Sequence, residues 1–325
     1  MKKILAILVT VCLLASVLCI PTFAAEARAA GTVLRVSIVQ NNGSTIVGEY
    51  ADFEEGWNYA VEAADAENMA AEGYSRIVVD ICADWTADGG DFGSGDGFSS
   101  GAIKFPENVR VTLNLNGHTI DRDLSDWKWN GEVIYVDENA NVIINNGTIT
   151  GGWSGGGAGG IHIDDGARVE LNNVSIKDNT ADDDDGGGIA VYDGATLTMN
   201  GGSFVDNELN GKESECTNYY GGAVYVEDST ATFNGVTFQN NYTEYNTCYG
   251  AAIYAADSNV TISECTFIGN GRKGATQVTM STIHADDSTI TVKGSYFVEN
   301  GDKRDSNVEG GYSAIFMLDN STLIM

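Results

Sequence analysis

One acidic residue recurs at a fixed position of a repeated segment, and carboxylates spaced in this way are potential ligands for a hard cation. The recurring residues are Glu138, Asp165, Asp193, Asp228, Asp257, Asp287 and Asp319. If the segments stack, neighbouring carboxylates about 5 Å apart repel one another by about 1 kcal/mol in water. Ca²⁺ prefers oxygen ligands and would relieve that repulsion. The candidate Ca²⁺ ligands are therefore Asp165, Asp193, Asp228, Asp257 and Asp287.

Turn chemistry explains the same acids without a metal. Asn, Gly or Ser follows each of them in the sequence. In a turn, an Asp side chain accepts nearby backbone N–H groups, and Gly or Asn tolerates a left-handed conformation. Both interpretations stay open at this point. No cofactor is required by the sequence, and Ca²⁺ is the one that the acids favour.

Tyrosines concentrate in the variable segments that separate two consecutive repeats. They are Tyr219, Tyr220, Tyr242, Tyr245 and Tyr249. Aromatic rings along one edge would form a partly apolar surface suited to sugar rings or to a protein partner. Rings that only cover loop backbone would give the same pattern, so binding and packing are both consistent with it.

The cysteines suggest one disulfide in the same variable segments. Four of the six lie beyond an apolar N-terminal leader, at positions 82, 216, 248 and 265. Their spacing does not match a zinc site, and an exported protein meets an oxidising environment. We expect Cys216 to pair with Cys248, because they lie in consecutive variable segments. Cys265 aligns with apolar residues of other repeats and is expected to be a buried free thiol.

Catalytic chemistry has weaker support in the sequence. A lyase or a glycoside hydrolase needs carboxylates that converge with a base or a second acid. Lysines and arginines are few and scattered, and the three histidines are His118, His162 and His284. His162 and His284 occupy equivalent repeat positions but lie four repeats apart. We assign no catalytic residue and keep a lyase or hydrolase acting on acidic polysaccharide as the alternative function.

The elements that position these residues follow from the repeat itself. Each unit has two pairs of alternating apolar residues, such as Ile161/Ile163 and Val169/Leu171, and then a third apolar position, such as Ile176. Alternation over such short runs predicts half-buried strands. Three strands closed by turns form one coil, and coils must stack about 4.8 Å apart to bury their apolar faces. We therefore expect Ile161, Ile189, Val224 and Ile253 to lie one above another.

An asparagine three residues after the third apolar position also repeats. The residues are Asn179, Asn207, Asn241, Asn270 and Asn300. In stacked coils their amides would donate and accept along the solenoid axis. We expect this row of amides to stabilise the stack and not to bind a ligand.

The repeat resembles known protein families. Gly-Gly before an apolar pair (GGIHI, GGAVYV) and the motif Phe-x-x-Asn (FVDN, FQNN) resemble the repeats of polymorphic outer membrane proteins. They are also similar to bacterial surface β-helices of the pectate-lyase-like superfamily. The stretch VTLNLNGHTI at 111–120 is similar to the first coil of many such secreted proteins. The resemblance implies a right-handed parallel β-helix of about seven coils over residues 101–325. It implies no particular chemistry, because the superfamily holds lyases, hydrolases and adhesins.

The remaining segments predict a leader and a cap. Residues 1–24 combine two lysines, an apolar run and a small-residue site, as in a signal peptide. Residues 25–100 are expected to hold a helix from Asp52 to Glu72, a strand from Ser75 to Trp85 and a Gly-rich loop at 89–101. The helix and strand would cap the first coil. The sequence ends within a second strand, so we expect it to be part of a longer protein.

Net charge limits the partners. A formal charge of -29 disfavours nucleic acid, whose phosphates it would repel. After the leader, the sequence holds no segment apolar enough to cross a bilayer. The chain is therefore expected to be secreted or displayed at the cell surface. We expect a non-catalytic, adhesin-like surface that binds a glycan or a protein along the edge of variable loops.

Overall fold

Each repeat forms one coil of three short strands, and the strands of successive coils pair in parallel. The computed structural model describes residues 31–87, 98–99, 102–182, 184–210, 219–243, 248–272, 280–302 and 312–325. In these residues the chain is a parallel β-solenoid of about seven coils, as the repeat predicts. The described ranges hold no helix that is long and apolar enough to cross a membrane.

The first strands of the coils form one parallel sheet. Their apolar residues lie directly opposite one another, so that Ile161, Ile189, Val224 and Ile253 are consecutive partners. This confirms the predicted stacking. In order, the first strands are Ala102–Phe105, Ile134–Val136, Ile161–Ile163, Ile189–Val191, Val224–Glu227, Ile253–Ala256, Met280–Asp286 and Tyr312–Leu318.

The second and third strands form a larger sheet that bends between them. A residue with positive φ marks the bend in several coils, for example Asn173 at 52° and Glu264 at 56°. In two coils the second and third strands run on as one strand, Asn141–Thr150 and Arg168–Lys177. In the other coils they are separate: Arg110–Asn114 and Thr119–Asp121, Thr196–Asn200 and Ser203–Val205, Thr230–Asn234 and Thr237–Gln239, Asn259–Ser263 and Thr266–Ile268, and Thr289–Lys293 and Tyr296–Val298. The last second strand is Thr322–Ile324.

Aromatic rings fill the core at the third apolar position. Phe204, Phe238, Phe267 and Phe297 stack with centroids 4.9, 4.6 and 4.6 Å apart and planes within 13° of parallel. The ring spacing follows the strand spacing, because one Phe comes from each coil. Cys265 lies buried in this core as a free thiol, as predicted.

Two rows of amides run along the solenoid. In the predicted inner row each Asn side chain donates its Nδ2 to the Oδ1 of the next, from Asn179 to Asn300, over 2.8–3.1 Å. A second, outer row at the ends of the second strands was not predicted. It consists of Asn114, Asn145, Asn172, Asn200 and Asn234, joined over 2.9–3.0 Å.

Short strands also pair within the variable loops. One parallel sheet contains Trp153–Ser154, Thr180–Asp182, Glu208–Asn210, Tyr242–Thr243, Gly271–Arg272 and Gly301–Asp302. A separate pair consists of Tyr219–Tyr220 and Cys248–Tyr249. These strands keep the bases of the variable loops in register from coil to coil.

An α/β cap packs on the first coil. Leu34–Gln40 pairs antiparallel with Thr45–Tyr50 and with Tyr74–Ile81, and Tyr74–Ile81 continues in parallel onto Arg110–Asn114. Trp85–Thr86 pairs with Thr119–Asp121, and Phe98–Ser99 pairs antiparallel with Ala102–Phe105. The buried ring of Trp57 packs against Phe105 and donates its indole N–H to the carbonyl of Lys104 over 3.2 Å.

The cap contains two helices where the sequence predicted one. Phe53–Ala64 begins after Asp52, whose carboxylate accepts the N–H of Glu55, as expected for an N-cap. The chain then breaks at Asp65, and Ala66–Glu72 forms a second helix. The break occurs because the Asp65 side chain accepts the N–H groups of Glu67 and Asn68, which starts a new helix.

Candidate functional site

The acidic turns have the geometry of a turn motif. Asp193, Asp228, Asp257 and Asp287 all adopt the left-handed conformation, with φ of 45–48°. At Asp165 the following glycine, Gly166, takes the positive φ instead. Backbone hydrogen bonds join successive turns, for example from the N–H of Gly194 to the carbonyl of Asp228 over 2.9 Å. The recurring acids therefore shape the turns, whether or not they also bind a cation.

One of the five candidate Ca²⁺ ligands lies in a cluster of three carboxylates. Oxygens of Asp286, Asp287 and Asp319 lie within 4.8 Å of one another, and in the described ranges no other acidic, His or Cys side chains converge in this way. Burial, and next the charge of Asp319, raise the pKa of Asp286. Three hard oxygen donors suit Ca²⁺. The structure does not bring Asp165, Asp193, Asp228 and Asp257 into such a group.

A column of aromatic side chains covers the outer face of the first-strand sheet. The middle residues of successive first strands are Tyr135, His162, Ala190, Tyr225, Tyr254, His284 and Phe316. Tyr192 fills the gap beside Ala190, with its ring 5.0 Å from His162 and 5.6 Å from Tyr225. We call these aromatic residues together the aromatic ladder. Its rings stack because parallel strands place equivalent side chains about 4.8 Å apart.

Two of the five predicted tyrosines lie on this ladder. The ring of Tyr220 stacks 4.0 Å from that of Tyr254, and the ring of Tyr249 lies 4.9 Å from that of His284. Both are half-buried. Tyr242 lies apart from them, in the loop sheet beside Glu208 and Gly271. The variable loops thus fold back over the sheet and add aromatic surface to it.

The other predicted loop residues are only partly described. Tyr219 and Cys248 are backbone partners in parallel strands. Tyr245 and Cys216 lie outside the described residues, so the Cys216–Cys248 bridge stays a prediction. The leader at 1–24 and most of the Gly-rich segment 89–101 also lie outside them.

Two exposed tryptophans extend the aromatic surface at the cap end. Trp127 and Trp129 lie in the first variable loop, and 45 % and 70 % of their surfaces are exposed. They rest on Gly155 and Gly156, where an added Cβ would come within 2.9 Å of the Trp127 ring and 3.1 Å of the Trp129 ring. The next residue, Gly157, covers Nδ1 of His162 in the ladder. One run of three glycines therefore packs against both tryptophans and against His162.

Acids and a lysine converge at the same end. Nζ of Lys104 lies 2.6 Å from a carboxylate oxygen of Asp137 and 5.5 Å from the centre of the Tyr135 ring. The Tyr135 hydroxyl donates to Asp164 over 2.6 Å, and the ring stacks on His162 at 4.7 Å. Burial lowers the pKa of His162. The sequence did not reveal this group, because its members come from three coils and only the register brings them together.

The two equivalent histidines belong to the ladder and are covered. The sequence placed them on the outer face of the strands, and the structure agrees, but loops bury this face. Only 2 % of the surface of His284 is exposed, and burial lowers its pKa to about 4. His284 is therefore neutral at physiological pH, which removes it as a charged acid in catalysis.

Glu132 is buried, and Asp184 and Asp185 are half-buried, beneath the variable loops. Burial raises the pKa of Glu132 to about 7 and that of Asp185 to about 8, and it also raises the pKa of Asp184. Asp185 accepts the N–H of Tyr220 over 2.6 Å, and Glu132 accepts the Ser154 hydroxyl over 3.3 Å. Through these hydrogen bonds Asp185 and Glu132 hold neighbouring loop segments together.

Sequence reasoning missed the ladder and the tryptophans for different reasons. The ladder has a signal, since an aromatic residue is the middle member of triplets such as Ile134-Tyr135-Val136 and Ile253-Tyr254-Ala255. The tryptophans have no such signal in the sequence, because they belong to one loop and do not repeat.

Comparison with known proteins identifies the repeat region. A family model described as right handed beta helix region matches residues 111–290, which is more than half of the 325 residues. The match starts in the second strand of the first coil and ends in the second strand of the seventh. No curated protein and no solved structure matches the chain.

Proposed function

The chain belongs to the right-handed β-helix family, and we propose that it is a non-catalytic, adhesin-like protein that binds glycans through its variable-loop edge. The observation that carries the proposal is the aromatic surface formed by Trp127 and Trp129, which are 45 % and 70 % exposed in the first variable loop. Large exposed aromatic rings often mark a binding surface, and such rings stack well against the apolar faces of sugars. A protein partner on the same edge is the other ligand class for this surface.

The surroundings of the aromatic surface favour a glycan. Carboxylates of Asp137 and Asp164 lie along the same edge, and they accept hydrogen bonds. Sugar hydroxyls donate hydrogen bonds, so a ring that stacks on an indole would find acceptors beside it. The net charge of -29 favours neutral glycans over polyanions.

The proposal includes export and display outside the cell. It rests on the signal-type segment 1–24 and on the polymorphic-outer-membrane-type repeats in the sequence. Fractionation of cells that express the full chain tests it. Recovery of the protein, shortened by about the length of a leader, from the medium or the cell surface is expected. Recovery of the uncut chain from the cytoplasm alone would contradict export.

Binding is tested with single substitutions in the aromatic surface. A glycan array with wild-type protein identifies a ligand, and Trp129→Ala and Trp127→Ala are then measured with that ligand by calorimetry. Each substitution is expected to weaken binding about ten-fold or more, since stacking on an exposed indole is lost. The matched control is Tyr296→Ala, because Tyr296 is 68 % exposed on a third strand, away from the ladder. Equal affinity of Trp129→Ala and wild type would refute the proposal.

A lyase or hydrolase is the second candidate, favoured by the contact of Lys104 with Asp137 beside Tyr135. A lyase would use a basic side chain to abstract a proton and acids to hold calcium. Incubation with polygalacturonate and other uronides in the presence of Ca²⁺ tests it, with Lys104→Met as the matched variant. If the wild-type protein cleaves one of these substrates and Lys104→Met does not, the protein is an enzyme and the non-catalytic proposal is refuted.

A further inference from the structure

Three arginines occupy one register position on the second-strand sheet, next to the cap. Arg110 and Arg168 lie on either side of Asn141 in parallel register. Arg76 precedes Ile77, which pairs with Val111, so Arg76 stands opposite Arg110. All three arginines are exposed. The strand spacing places Arg110 and Arg168 about 10 Å apart, with the Asn141 amide between them.

An open cleft of about 650 Å³ lies over two of these arginines. The short helix Ala66–Glu72 and the start of the strand Tyr74–Ile81 form one wall, and the first coils form the floor. Its polar lining includes Tyr74, Asn108, Arg110, Asn139, Asn141 and Arg168. Guanidinium, amide and phenol groups thus face one space of a size suited to a sugar or two.

The arginines have no acidic partner in this cleft. In the described part of the chain, Lys104 pairs with Asp137 and Lys177 with Asp178, but Arg110 and Arg168 make no ion pair. This is unexpected in a chain with 46 acidic and 17 basic residues. Cations stacked without a counter-charge repel one another, and an oxyanion between them would remove that cost.

The acids that surround the cleft limit the size of the ligand. The pKa of Glu138 is raised, first by the charge of Glu107 and also by that of Asp165. Glu170 lies two residues beyond Arg168 on the same strand. A long polyanion that entered the cleft would meet these carboxylates and be repelled. A ligand with a single negative charge is repelled far less, because only one charge faces these carboxylates and it lies between two arginines.

We propose that this cleft binds one oxyanion, a carboxylate or a sulfate, carried on a short glycan. The forked guanidinium groups of Arg110 and Arg168 pair with the oxyanion, because Arg binds carboxylates and tetrahedral oxyanions alike through two parallel hydrogen bonds. The amides of Asn108, Asn139 and Asn141 bond the hydroxyls of the sugar, and Tyr74 closes one side. The cleft lies on the second strands, so it is separate from the aromatic ladder on the first strands.

Calorimetric titration with glucuronate, glucose 6-sulfate and glucose tests this site on the full chain at low ionic strength. One or both of the charged sugars are expected to bind, and glucose is expected to bind about ten-fold more weakly. Arg110→Gln and Arg168→Gln are expected to weaken the charged sugar about ten-fold, and Arg168→Lys less, since it keeps the charge and loses the fork.

The matched control is Lys177→Gln, which removes the same charge from the other end of the strand that holds Arg168. It is expected to leave the affinity unchanged. The arginines are exposed, and far-UV circular dichroism verifies that each variant is folded. Absence of binding by both charged sugars, equal binding of glucose, or equal affinity of Arg168→Gln and Lys177→Gln would each overturn the proposal. The substitution Trp129→Ala is expected to leave binding of the charged sugar at this cleft unchanged, so the two proposals are tested separately.

Discussion

Replacement of Asn241 by leucine tests the inner amide row. The Asn241 side chain is fully buried, and its Nδ2 donates to Oδ1 of Asn270 over 2.8 Å and to the carbonyl of Phe204 over 3.0 Å. Its Oδ1 accepts the backbone N–H of Asn207 over 3.1 Å and the Asn207 amide over 3.0 Å. Leucine has the same branched shape and the same number of heavy side-chain atoms but no polar atom, so these partners would lose their hydrogen bonds without access to water.

The expected cost follows from the groups left without a partner. Each buried donor or acceptor that loses its bond costs about 1–3 kcal/mol. The backbone N–H of Asn207 and the carbonyl of Phe204 are two such groups, and the amides of Asn207 and Asn270 each lose one contact. We expect Asn241→Leu to lower the free energy of unfolding by about 4 kcal/mol.

Urea unfolding followed by circular dichroism measures this change, and Asn234→Leu is the matched control. Asn234 lies in the outer row, is only half-buried, and donates to Oδ1 of Asn200 over 3.0 Å. Water can replace that bond, so we expect Asn234→Leu to cost about 1 kcal/mol or less. If the two variants unfolded at the same urea concentration, the inner row would not stabilise the stack as argued here.

Three further predictions use the same structure. Because burial raises the pKa of Asp185 to about 8 and that of Glu132 to about 7, the folded state binds more protons than the unfolded state between pH 5 and 7. The free energy of unfolding should therefore fall as pH rises over this range, by about 2–3 kcal/mol for Asp185 alone. Thermal melts at several pH values test this, and Asp185→Asn should show a smaller dependence of melting temperature on pH than wild type. An equal dependence in the two proteins would contradict the prediction. Phe238→Ala removes a ring stacked between Phe204 and Phe267 and should cost about 3–5 kcal/mol in urea unfolding, whereas Tyr296→Ala should cost far less. Ca²⁺ should raise the melting temperature and EDTA should lower it through Asp286, Asp287 and Asp319; identical melts, or an equal effect in Asp287→Asn, would eliminate this site.

The stacking of the coils is the part of the structure that the sequence predicts best. Ile161, Ile189, Val224 and Ile253 repeat at nearly constant distances from the residues around them, and one-residue slips would turn every apolar side chain outward. The inner amide row follows from the same periodicity. The outer row escaped notice because Asn145 and Asn172 are each followed by a second Asn, and an Asn-Asn pair after a strand looks like part of a turn.

The sites depend on features that do not repeat. Tyr220 lies against Tyr254 because a variable loop folds back over the sheet, and the sequence of a loop does not specify that path. Asp184 and Asp185 belong to a run of four acids, a pattern typical of a solvated loop, but both are half-buried. Arg110 and Arg168 are 58 positions apart by their numbering, and only the register between strands shows that they share a cleft.

Every site described above requires neighbouring coils to lie in parallel register, and an engineered disulfide measures that register directly. Thr232 and Thr261 are partners on adjacent second strands, and both face outward. Their Cα atoms should lie about 4.8 Å apart, which is within the range for a disulfide, whereas Thr232 and Ser263 should lie about 8 Å apart, which is too far. On mild oxidation followed by peptide mass spectrometry, Thr232→Cys with Thr261→Cys should form an internal bridge, and Thr232→Cys with Ser263→Cys should not. A bridge in the second pair and none in the first would contradict the register and the sites that depend on it.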